Sequence, residues 1–151
     1  MKLVKHARGR WEYLLNPNEA QILRGLMEKF PFTEIATRAI SKTMSGADSA
    51  ERQQLLNEAL AEHRAELKEF AATFFSGGRW RKADENRVLK LDATSRDMLL
   101  RILNDIRVGS WRALGEPDPV DAPPRTKEEF AYRSLMNLAG YFEAGLLETE
   151  E

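Results

Sequence analysis

The stretch RWRKADENRVLKL, residues 79–91, decides how the fold is read. It is polar and basic up to Arg87 and closes on Val88-Leu89-Lys90-Leu91, an alternation suited to a short strand. Taken as a basic loop over 76–91 ending in that strand, it leaves the chain mainly helical. The strand would then do no more than extend an N-terminal hairpin to three strands.

Upstream, residues 50–75 form the longest periodic segment. Leu56, Leu60, His63, Leu67, Phe70 and Phe74 step by four and three along one helical stripe. Glu51, Glu58, Glu62, Glu66 and Glu69 share a different face, and Ser76-Gly77-Gly78 ends the helix. Farther back, Asn16-Pro17-Asn18-Glu19 reads as a helix start: Asn16 caps, Pro17 suits the first turn, and Glu19 reaches back to the cap. Ile22, Leu23, Leu26, Met27 and Phe30 make that helix's apolar stripe, and Pro31 ends it. A short helix is expected from Thr33 to just before Ser45. In residues 1–15, two β-prone runs flank Arg8-Gly9-Arg10, with Trp11, Tyr13 and Leu15 on one face. A lone hairpin is marginal in water, so this one must lie against something.

Downstream, Asp92 or Thr94 opens a helix through Met98, Leu99, Ile102, Leu103 and Ile106 to Leu114-Gly115. The proline-rich stretch 116–125 is a stiff connector. Thr126-Lys-Glu-Glu129 caps a last helix over 126–147, which carries Phe130, Leu135, Leu138, Tyr141, Phe142 and Leu146. The expectation is one mainly α domain over 1–151. It is an antiparallel bundle of four to five helices, with a helical core at 16–115 and a small N-terminal β-hairpin at 1–15.

Composition narrows the function. The 151 residues are 42% hydrophobic and 31% charged, which fits a globular domain and excludes a disordered chain. With no cysteine, disulfide scaffolds, iron–sulfur clusters, cysteine-ligated zinc and thiol catalysis are out. Charges interrupt MKLVKHARGRWEYLL where a signal peptide needs an apolar core, and no later run approaches a membrane span. A cytoplasmic protein without a membrane partner is expected. The 23 basic and 24 acidic residues make no global case for nucleic acid.

Several pieces together resemble an uncharacterised bacterial family, a domain of unknown function. They are Asn16-Pro17-Asn18-Glu19, Leu103-Asn104-Asp105-Ile106-Arg107, Leu114-Gly115 and the aromatic final helix from Phe130. The similarity spans most of the chain but departs in the basic stretch 79–90 and the proline-rich connector. It implies a helical cytoplasmic fold with no established activity.

No catalytic constellation is legible. His6 and His63 are the two histidines, no His-Glu-x-x-His occurs, and Leu60 stands where a di-iron bundle would need a glutamate. Glutamates four apart read as a solvated face rather than a metal site. His63, inside the apolar stripe, reads as a core histidine bonded to a neighbouring element ahead of a pocket base. Gly109-Ser110 lies inside a predicted helix, not at a strand–helix elbow, and suits close packing. No catalytic residue, metal ligand or cofactor is assigned.

Two binding readings remain. Asn104, Arg107 and Trp111 form a strip at helical spacing, with the residue types of interface hot spots, and Leu135, Phe142 and Leu146 of the last helix are further contact candidates. Arg79, Trp80 and Arg81, with Lys82, interleave charge and an aromatic, and Arg8 and Arg10 flank Trp11 in the same way. The first reading gives a non-enzymatic module that binds a protein partner or a second copy of itself. The alternative is weak nucleic-acid binding through 8–11 and 79–82, disfavoured because the basic patch is short and the rest of the chain net acidic. An intramolecular role for Arg79, Arg81 and Lys82, folded back across the helix end toward the glutamate ridge, competes with it.

Overall fold

A computed structural model describes residues 1–32, 47–117 and 123–148. The expected helix over 33–45 and the centre of the proline-rich connector lie outside these residues. Strands β1 (Lys2–Ala7) and β2 (Arg10–Leu15) lead into α1 (Pro17–Glu28) and the long α2 (Ala47–Thr73). Strands β3 (Trp80–Ala83) and β4 (Asn86–Asp92) follow, then α3 (Ala93–Ala113) and α4 (Lys127–Leu147).

The four strands form one antiparallel sheet in the order β1-β2-β4-β3. Four helices and this sheet, among the described residues, make an α/β architecture, which overturns the expected helical bundle with a small hairpin. The basic loop 76–91 is likewise corrected, because most of it is a second hairpin. β3 hid for a physical reason. It is four residues long, its Arg81 and Lys82 are exposed, and its turn runs through Asp84 in the left-handed region (φ 57°) rather than through a glycine. The N-terminal turn carries a plainer signal, for Arg8 and Gly9 both have positive φ (54° and 70°), the pairing that a type I′ hairpin turn requires.

Register puts most of the apolar residues on one side, with Leu14 and Val88 facing each other on the opposite one. Tyr13 opposes Leu89 and Trp11 opposes Leu91 across β2 and β4, while Trp80 opposes Leu89 across β3 and β4. Cross-strand partners share a face, so Trp11, Tyr13, Leu15, Trp80, Leu89 and Leu91 point together. They join Leu23, Leu26 and Met27 of α1, Leu67 and Phe70 of α2, Leu99, Ile102, Leu103 and Ile106 of α3, and Ala139, Phe142 and Leu146 of α4. The helices thus cover one face of the sheet.

The helix starts follow their local signals. Asn16 accepts from Glu19 N (2.8 Å) while Glu19 Oε1 accepts from Asn16 N (3.0 Å), a complete capping box. Thr126 Oγ1 caps Glu129 N at 3.1 Å, and Asp92 Oδ1 caps Ser95 N at 2.7 Å. Hydrogen bonding from Ser95 holds the Asp92 carboxyl below its ordinary pKa, with Arg79 and Arg10 adding a smaller pull.

The stripe on α2 enters the core only near its end. Leu67 and Phe70, with Phe74 just beyond, are buried, whereas Leu56 and Leu60 are each 38% exposed. At about 1.5 Å per residue, 27 residues outrun the 21 of α3 and α4, so part of α2 overhangs. His63 is accordingly half-buried at the rim rather than in the core, its Nε2 3.1 Å from Arg101 Nη1. Arg101 carries donors alone, so Nε2 is the acceptor.

One polar node binds the layers together. Arg96, in the first turn of α3, donates from Nε (3.1 Å) and Nη2 (2.5 Å) to the Leu146 carbonyl at the end of α4. Tyr13 Oη of β2 donates to the same carbonyl at 3.0 Å and accepts from Arg96 Nε at 3.1 Å. The guanidinium also lies 4.8 Å from the Trp11 ring centroid. A cation thus meets the negative end of α4, where the last carbonyls have no helical partner. Arg96→Met keeps the stem but strips these contacts from a buried carbonyl and hydroxyl. Charged hydrogen bonds contribute about 1.5–3 kcal/mol, so the variant is expected to lose about 2 kcal/mol, read as a lower urea midpoint at unchanged slope. An unchanged midpoint would remove Arg96 from the account of stability.

Candidate functional site

The Arg107–Trp111 strip lies on α3 along its contact with α4. The two helices enclose a surface groove of about 440 Å³ lined by Arg107, Val108 and Trp111 on one side and Met136, Asn137 and Gly140 on the other. Arg107 and Trp111 therefore come together as the helical spacing predicted. Asn104 is tied to them indirectly, its Oδ1 accepting from Arg107 Nη2 at 3.1 Å. Trp111 is half-buried and donates from Nε1 to the Pro117 carbonyl at 3.3 Å, which pins its ring at the groove edge.

Arg107 has one more neighbour that sequence spacing does not reveal. Its Nε is 3.4 Å from Glu143 Oε1, on α4. The Glu143 side chain is 13% exposed and Oε1 makes no hydrogen bond, so this is an ion pair of poor hydrogen-bond geometry. Burial pushes the Glu143 carboxyl above the ordinary glutamate range, with the Arg107 charge opposing that shift. The nearby Ser110 hydroxyl on α3 is fully buried and also unpaired. Gly109 and Ser110 are both buried, as close packing requires.

The other contact candidates on the last helix do not survive. Phe142 is 1% exposed and Leu146 is fully buried, both spent on the core, while Leu135 is partly buried against it. Strong apolar residues at helical spacing mark the buried face of a helix, which is the face a partner does not see. The groove residues that the helical strip does not reveal are Val108, Met136, Asn137 and Gly140, and beside them stands Glu143, the partner of Arg107. Gly140 did leave a trace: a glycine inside a helix costs about 0.5–1 kcal/mol relative to alanine and so asks for a reason.

The basic–aromatic segments come together, but not as a stacking surface. Sheet pairing sets residues 8–12 beside 78–79 and 90–92 around a groove of about 860 Å³. Trp80 is not part of it. It stacks on Phe75 (5.1 Å between centroids), meets Phe74 edge-on (5.7 Å) and donates from Nε1 to the Phe74 carbonyl at 3.2 Å. Trp11 stacks with His6 at 4.4 Å and takes Arg96 at 4.8 Å. Both tryptophans are used inside the molecule. Arg81 is exposed on β3, opposite Val88 and outside the groove.

Arg79 does fold back over the end of α2, but onto different partners from the glutamates. Its guanidinium lies 4.7 Å from the Phe70 ring centroid, and Nη1 is 3.5 Å from the Thr73 carbonyl. A Cβ at Gly77 would stand 2.6 Å from that Nη1, so glycine makes room for the arginine. Among the described residues, none of Arg79, Arg81 and Lys82 forms an ion pair with Glu58, Glu62, Glu66 or Glu69. No group of three or more His, Asp or Glu among the described residues is placed to hold a metal ion. No helix of these residues is long and apolar enough to cross a membrane.

The Glu143 environment carries a pH signature. An acid whose folded pKa is raised binds its proton more tightly in the native state, so the contribution of Glu143 to stability is fullest below 4.5 and is lost as pH climbs through the raised value. Glu143→Gln is expected to flatten that limb and to be at least as stable as the parent at pH 7, measured by urea unfolding at pH 4 and pH 7. A variant clearly weaker at pH 7 would mean that Arg107 pairing outweighs burial. No protein-family model, curated protein or solved structure matches the chain, so its functional reading rests on this geometry.

Proposed function

We propose that the protein is a non-enzymatic, cytoplasmic binding module whose α3–α4 groove receives a helix from a partner protein. The observation that carries this reading is Gly140. It sits inside a helix at a cost in helix propensity, yet a Cβ added there would meet nothing within 4 Å. The described residues do not need a glycine for their own packing, and Gly140 opens on the groove. A helix backbone approaching closely would use that space. Trp111, Val108 and Met136 supply an apolar wall, and Arg107, whose side chain is 48% exposed, supplies a cation at its rim. Arginine and tryptophan at the edge of a groove are the residue types that anchor protein interfaces. An amphipathic helix with a carboxylate near its apolar stripe fits this surface.

Binding and stability should separate at Gly140. Gly140→Leu replaces glycine by a strong helix former and puts a side chain into the groove, starting from a Cβ that meets nothing within 4 Å. Its melting temperature is expected to match or exceed the parent's, while partner binding is lost. Trp111→Ala should also lose the partner. The check is affinity capture with the parent and both variants, followed by titration of the recovered partner's helix. Equal capture by all three chains, or no capture by the parent, would sink the proposal.

A further inference from the structure

We propose a second binding site: the face of the sheet turned away from the helices takes the phosphate backbone of nucleic acid, without sequence preference. Residues 1–15 and 79–92 hold nine lysines and arginines against four acidic residues, although the whole chain is balanced at 23 against 24. Folding therefore concentrates positive charge in the sheet layer and leaves the remainder net acidic. The groove on this layer brings Lys5, Arg8 and Arg10 from the first hairpin to Arg79 and Lys90 from the second. Lys5, Arg8, Arg10 and Lys90 are exposed, and no ion pair within the described residues neutralises them. Two carboxylates share the groove, Asp92 opposite Arg10 and also capping α3, and Glu12 opposite Lys90, so its five cations outnumber its anions.

What fills such a groove follows from its chemistry. A protein partner needs an apolar anchor that can be desolvated. None is on offer here, for Leu91 is 2% exposed and the Trp11 ring is taken by His6 and Arg96. Nucleic-acid interfaces are more polar and far more positive, and guanidinium groups match phosphate oxygens in geometry as well as charge. Neighbouring strands about 4.8 Å apart and alternate residues about 7 Å apart set the cations at spacings a flexible backbone can follow. With both tryptophans consumed internally, no ring is left for base stacking, so contacts are to phosphate and binding is sequence-tolerant.

The test is fluorescence anisotropy with a labelled mixed-sequence single-stranded DNA, starting at about 50 mM salt and titrating upward. Binding is expected, with log affinity falling against log salt at a slope of about −2 to −4, since each phosphate contact on a single strand contributes about −0.7. Arg10→Gln and Lys90→Gln should each weaken binding and make the slope shallower by roughly one contact. Glu12→Gln should tighten binding, a sign that a damaged fold would not produce, and Arg107→Gln should leave it unchanged. Absence of binding at the lowest salt would overturn the proposal. So would unchanged affinity in Arg10→Gln and Lys90→Gln, or equally tight binding of poly-glutamate, which would assign the face to acidic proteins.

Discussion

The pairing of β2 with β4 is the constraint on which the rest of the structure depends. Each belongs to a hairpin too small to be stable alone, and residues 16–85 lie between them. Joined in register, with Tyr13 against Leu89 and Trp11 against Leu91, they present one continuous apolar face. That face is what the helices bury. A slip of one residue would turn this apolar set to the opposite side, so the hydrophobic core and the register enforce each other.

From this pairing comes one of the two surfaces proposed to bind a partner. A sheet covered on one side must expose the other, and alternation sends Arg10, Glu12 and Lys90 to that side because Trp11, Tyr13, Leu89 and Leu91 go inward. The α3–α4 groove arises differently, from two long helices packed side by side, with Ile106 and Ala139 in the core and Arg107, Trp111 and Gly140 lining the groove. The Arg96 node links the two regions. It fastens the end of α4 to β2, and its guanidinium lies over the Trp11 ring.

Much of this was legible locally. The Asn16–Glu19 capping box, the Thr126 cap and the first hairpin are all decided by a few adjacent residues and stand where their motifs predicted, and of Asp92 and Thr94 the cap is Asp92. The Arg107–Trp111 strip follows from the same periodicity that defines α3. The polar β3 strand was not legible, because a short edge strand with charged side chains carries no apolar alternation. Nor was the fate of Trp80, whose partners Phe74 and Phe75 lie across a turn. Arg96 did leave a signal of a kind: a cation in the first turn of a helix opposes the dipole of its own helix, and it is placed there to serve the far end of another.

What the amino-acid sequence determined by itself is therefore the local grammar: where helices begin, where the first hairpin turns, and which residues of each element are apolar. Tertiary structure alone decided that two hairpins share one sheet, that Glu143 stands beside Arg107, and that five scattered cations line a single groove. The reason is the range of the forces involved. Caps and turns are settled within about four residues by hydrogen bonds and sterics. Strand pairing and charge clustering join residues far apart in the chain, and become favourable only when the whole apolar surface leaves water at once.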